Sequence, residues 1–161
     1  MESQEARGST SKGEVNVARS NGLGDFAKRM EVIADNVMEN ITLGVRKAAL
    51  AADQVAVMET PVDTGRAKAN WLPSIGSPAA GTVDPPVPGD GNASETFAML
   101  RANQVIQKWQ AGRGQSIFLT NNLPYIVRLE EGWSDQGRDM AAHALEAAQY
   151  VLRKHRLLKG V

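Results

Sequence analysis

Glu130 and Glu131 are the residues whose types first suggest catalysis, because carboxylate acid–base chemistry needs two such groups facing one reacting bond. Adjacent residues on an extended segment project to opposite faces, so this pair is not expected to act as acid and base. It is expected to serve a charge-assisted contact, with Arg66 or Arg128 as partner across a subunit boundary. His143 and His155 stand twelve residues apart, two histidines where a zinc site takes three or four ligands. The chain has no cysteine, which excludes a disulfide framework, a thiolate metal site and a cysteine nucleophile. Neither a Gly-Lys-Ser/Thr phosphate loop nor a Gly-x-Ser-x-Gly elbow occurs. The residues therefore describe a protein expected to be no enzyme and to carry no metal and no cofactor.

Charge is balanced, 18 basic against 18 acidic residues, so no global field draws the chain to nucleic acid or to an anionic membrane. The main local asymmetry is Arg153, Lys154, Arg156 and Lys159 near the C-terminal end. Such charges suit duplex phosphates or an acidic neighbour, and they equally suit the negative end of a helix dipole. No apolar run approaches the roughly 18 residues that span a bilayer, and the first residues, Met1-Glu2-Ser3-Gln4, lack a hydrophobic stretch. Neither export nor membrane insertion is expected.

The elements that must position these groups are legible in outline. Residues 1–24, rich in Gly, Ser and charge, read as a flexible arm, followed by a single domain over 25–161. From Asp25 onward Phe26, Met30, Ile33, Val37, Ile41, Val45, Ala48, Ala52 and Val55 recur at spacings of three and four. That pattern predicts one long helix, capped by Asp25, stopped at Thr60-Pro61, and packed on a sheet through its stripe. Pro61, Asp63, Thr64 and Gly65 supply turn chemistry, with Gly65 expected at positive φ; the same residues also suit a contact loop.

Residues 66–75 read as a strand that sets Arg66 and Lys68 on one face, either solvated or offered to DNA or an acidic neighbour. Residues 73–91, with five of the seven prolines, read as a long loop expected to be mobile until neighbouring subunits order it. A helix over 94–110 follows, with Phe97, Leu100, Gln104 or Val105, and Trp109 on one face. Ser116 to Thr120 is a strand candidate, Tyr125 to Leu129 an extended or partly helical run, and 138–159 a terminal helix. The fold class is α+β: a long N-terminal helix on a small, mostly antiparallel sheet, with a middle and a C-terminal helix.

Two segments, in order and about fifty residues apart, carry a resemblance. The first is Thr60-Pro61-Val62-Asp63-Thr64-Gly65-Arg66, closed by Asn70-Trp71 and preceded by the long helix. The second is Asn121-Asn122-Leu123-Pro124-Tyr125, followed by Leu129-Glu130-Glu131-Gly132-Trp133-Ser134. Together they resemble the neck and minor-tail-component family of long-tailed phages, the head–tail joining or tail-completion proteins, over roughly residues 25–150. The chain departs from that pattern after Ser134, where no Ala-Pro follows, and in its long proline-rich loop.

The resemblance implies a virion protein, assembled in the host cytoplasm, that forms a homo-oligomeric ring at the head–tail junction. By analogy with the tail tube the ring is hexameric. Its neighbours are a head-completion or connector protein and a tail-tube or tail-terminator protein, with genomic DNA passing through the channel and no membrane. No catalytic residue comes with the family. The residues themselves suggest the subunit contact: Tyr125 and Trp133 as amphipathic anchors, and Arg66, Arg128, Glu130 and Glu131 as charged partners. The competing reading places both aromatics in the core. A different class of function, a small nucleic-acid-binding module using Arg153, Lys154, Arg156 and Lys159, predicts steep salt dependence instead.

Overall fold

A computed structural model describes residues 15–132 and 139–155, with residues 15–21 as backbone alone. The order of elements is α1 (Val15–Glu59), α2 (Arg66–Ala69), β1 (Leu72–Ile75), α3 (Gly91–Ile106), β2 (Ile117–Thr120), α4 (Ile126–Glu130) and α5 (Met140–Lys154). β1 and β2 pair antiparallel, Leu72 opposite Thr120 and Ile75 opposite Ile117. The fold is α+β, as the periodicities predict. Among the described residues no helix is long and apolar enough to cross a membrane.

Packing divides the chain into two units, Met1–Asn36 and Val37–Val161. In the second unit the core joins Ala56 and Val57 of α1, Trp71, Ala98 of α3, and Met140 and Ala144 of α5. Alanine is frequent in this core, with Ala48, Ala67, Ala69 and Ala102 also buried. α1 ends where expected. The Thr60 hydroxyl donates to Ala56 O at 2.6 Å, and Pro61, lacking an N–H, cannot extend the ladder.

Several expectations need correction. α1 starts at Val15, not at Asp25, so residues 15–24 of the expected arm are helical; residues 1–14 lie outside the described residues. Extending an existing helix through Gly22 and Gly24 costs about 1 kcal/mol each, far less than nucleating a new one. The stripe is not core along its whole length: Phe26, Met30 and Ile33 are exposed, while Val37, Ile41 and Val45 are half-buried. Spacing reveals an apolar face but not how much of it finds a partner; α3 and α5 have 16 and 15 residues against 45 in α1.

Arg66–Ala69 is a helical turn, and only Leu72–Ile75 of the expected strand is extended. Ala67, Lys68 and Ala69 are good helix formers, and Ala69 N closes on Gly65 O at 3.1 Å. α3 buries Ser94, Ala98, Ala102 and Ile106, whereas Phe97 and Leu100 are exposed. The small residues, not the bulky ones, face inward there because a neighbouring backbone lies close.

The proline-rich loop is tied down by side-chain amides. Asn70, fully buried, donates through Nδ2 to Val83 O at 2.7 Å and accepts at Oδ1 from Val83 N at 2.8 Å, as a strand partner would. Asn122 Nδ2 donates to Ala79 O and Gly81 O at 2.9 and 3.0 Å. Gly89 N donates to Thr64 O at 2.9 Å, and Asp90 caps α3 by accepting from Ala93 N.

Candidate functional site

The two segments that carry the resemblance meet. Residues after α1 descend through Pro61 and Asp63 to Gly65, where φ is +77° and the chain turns into α2. Asn121 Nδ2 then reaches across 54 residues of sequence to donate to Ala67 O at 3.0 Å. This anchors the start of the second segment on the end of the first, with Leu123 buried beneath. Trp71 closes the arrangement from below, its indole N–H donating to Thr60 Oγ1 at 2.8 Å.

Tyr125 stands at the junction. With Pro61, Val62, Asp63, Thr64, Gly65, Ala67 and Leu129 it lines a cleft of about 310 Å³. On its other side a shallow depression of about 700 Å³ is bounded by Asp63, Thr64, Arg66, Asp84, Pro85 and Pro88. Tyr125 is 38% exposed, so it is a surface residue with one flank covered, and the core reading does not describe it. Partial burial raises its phenol pKa, Arg66 opposes that shift and Asp63 adds to it. Val62, Asp63, Thr64, Arg66, Val127, Arg128 and Glu131 are also exposed. The surface thus mixes an aromatic anchor, apolar side chains and both signs of charge, the composition of a protein–protein contact.

The other expected site residues divide. Trp133, Arg156 and Lys159 lie outside the described residues. Arg66 is exposed beside Tyr125, but Lys68 is not on the same face. It is buried, with Nζ 2.9 Å from Glu95 Oε2, so the shared basic strand face does not exist. Glu130 is engaged within the subunit: its Oε1 accepts from Ala141 N at 2.9 Å, and its carbonyl accepts from Asp139 N. It caps α5, a role its sequence neighbours give no hint of because the partner lies eleven residues on. Arg153 and Lys154 are exposed at the end of α5, with the Lys154 ammonium 5.7 Å from the Tyr150 ring.

The histidines hold α5 to α1. His143 Nδ1 lies 2.6 Å from Glu59 Oε2, and that hydrogen bond raises the imidazole pKa. His155 Nε2 lies 2.7 Å from Asn40 O, with its ring against Gly44. Among the described residues no three His, Asp or Glu side chains are grouped to hold a metal ion.

Sequence reasoning missed one buried charged group. Asp53, 1% exposed, sits on the inner face of α1, and Arg101 of α3 is its nearest electrostatic counterpart. Asp53 Oδ1 and Arg101 Nη2 lack hydrogen-bond partners among the described residues, although Arg101 Nη1 donates to Ala69 O and its guanidinium lies 4.4 Å from the Phe97 ring. The signal was an aspartate within Ala51-Ala52-Asp53 and close to Val55-Ala56-Val57. Burial raises its pKa from 3.8 to about 7, with Arg101 acting in the opposite direction. A raised folded-state pKa favours folding below the unfolded value and loses that advantage as pH climbs to the folded one. Stability is therefore expected to fall between about pH 4 and 7. Asp53→Asn should flatten this fall and raise stability at pH 8 by on the order of 1–2 kcal/mol, read from urea midpoints at pH 5 and pH 8. An unchanged pH profile would assign the slope to other groups.

Searches of protein-family models, of curated proteins and of solved structures find no match to this chain.

Proposed function

We propose that this chain is a non-enzymatic structural subunit of a long-tailed phage particle, one copy in a ring at the head–tail junction. The observation that carries the reading is the meeting of the two resemblance segments on one exposed surface around Tyr125. Thr60, Gly65, Asn70, Trp71 and Asn121 serve as framework, and Asp63, Thr64, Arg66 and Tyr125 are left outward. A ring subunit needs that division between rigid support and a presented patch. The copies form a homo-oligomer, hexameric by analogy, between a head-completion or connector protein and a tail-tube or terminator protein, in the virion, with DNA in the channel.

Arg66→Glu combined with Tyr125→Ala tests the patch without touching the Glu130 cap. Circular dichroism should show a folded subunit. Mixed with heads and tails that lack the native protein, the variant should raise joined particles by less than a tenth of the wild-type yield. Joining at the wild-type level would remove this surface from the reading. If the wild type joins nothing and binds duplex DNA with steep salt dependence, the exposed Arg153 and Lys154 favour the nucleic-acid module.

A further inference from the structure

In the first unit the side chains from residue 22 to 36 are all exposed, yet the sequence there is not that of a solvated helix. Leu23, Phe26, Met30 and Ile33 are 75%, 61%, 48% and 45% exposed. Their spacing is three, four, three, and it continues in the sequence to Val37. On a helix this makes a narrow stripe of the alternating kind that interlocks with a second helix carrying the same repeat. Val32 is the one large apolar residue off the stripe.

The positions beside the stripe identify the occupant. In a two-helix seam with a soluble exterior these positions are usually charged. Here they are Gly22, Ala27, Ala34 and Asn36, with Arg29 the single charge. Small neutral flanks let helices approach closely and leave room for more than two around one axis. The remaining charges, Asp25, Lys28, Glu31 and Asp35, lie on the far side; with Arg29 the segment carries three acidic against two basic groups, so like copies repel only weakly. A two-heptad seam buries on the order of 1,000 Å², the small end of specific interfaces, and each further copy adds its own.

We propose that the Leu23–Phe26–Met30–Ile33 stripe is a self-association seam, covered by the same segment of neighbouring copies of this chain running parallel and in register. The parallel direction rests on the ring reading, because rotation about a closed axis sets equivalent helices at equal height and pointing the same way. The self-complementary stripe stands without it.

The absence of cysteine makes the test direct. Leu23→Cys lies on the seam near one end, and only a parallel register brings two copies of it together; Lys28→Cys lies on the opposite face. With a short thiol-to-thiol crosslinker, Leu23→Cys should give covalent oligomers in high yield and Lys28→Cys at least tenfold less. Phe26→Glu with Met30→Glu should reduce the sedimentation mass of the full chain to that of the monomer, with tryptophan emission unchanged. If that double variant keeps the wild-type mass, the copies meet elsewhere: the seam is refuted and the ring reading survives. Equal yields from the two cysteine variants, or none from Leu23→Cys, overturn the parallel register. A wild type that stays monomeric at every concentration defeats both the seam and the ring.

Discussion

Gly65→Val is expected to lower the unfolding free energy by about 2–4 kcal/mol, combining backbone strain with overpacking. At φ +77° an L side chain is strained wherever it points. Here it also has no room, since a Cβ would lie 2.4 Å from Ser94 Oγ and 3.2 Å from Asp90 O. Ser94 is wholly buried in the first turn of α3, and its own Cβ lies 3.3 Å from the added one, so rotating the hydroxyl leaves the site crowded. Gly65→Ala separates the two costs, because Ser94→Ala removes the oxygen it meets while leaving φ unchanged. The double variant should recover part of the loss in a urea-melt cycle. Recovery of none would place the whole cost in the backbone, and a loss below about 0.5 kcal/mol for Gly65→Val would contradict the turn geometry itself.

Trp71→Ala should cost still more, about 3–5 kcal/mol, since it empties the centre of the core beside Ala56, Val57, Ala98, Met140 and Ala144. It also removes the donor that Thr60 Oγ1 accepts from, in a site where Thr60 is 2% exposed. Trp71→Phe keeps most of the volume and loses the hydrogen bond, so a drop of about 1–2 kcal/mol is expected. Thermal melts of the two variants side by side measure the difference. A Trp71→Phe melting temperature equal to that of the wild type would mean that the indole ring contributes little beyond a phenyl.

What was legible in the sequence was local chemistry. Proline after Thr60 ended α1, the glycine of Asp63-Thr64-Gly65 took positive φ, and the β-branched and aromatic run at Ile117-Phe118-Leu119 became β2. Each rule concerns a residue and its nearest neighbours. What was not legible depended on partners distant in sequence. Lys68 appeared to be a surface cation until Glu95, 27 residues away, paired with it. Glu130 appeared to be available to a neighbour until α5 placed Ala141 N against it. Asn70 and Asn122 hold the proline-rich loop across 13 and more than 40 residues, a role no periodicity encodes. Of the candidate site, Tyr125 and Arg66 were each readable as contact residues, one as an aromatic anchor and the other as a charged partner for Glu130 or Glu131; that the two share a wall needed the fold.

The alanines buried along α1, α3 and α5 bear on how the second unit responds to temperature. A methyl group has no rotamers to freeze, so helices brought together through Ala48, Ala56, Ala98, Ala102 and Ala144 incur little side-chain entropy loss on folding. The same methyls hide little hydrocarbon from water, which keeps the heat-capacity increment of unfolding small for a domain of this length. A small increment flattens the curve of free energy against temperature. Cold therefore weakens this unit less than it would a leucine-filled one, and its melting temperature, taken with the enthalpy measured there, nearly fixes its stability at ambient temperature.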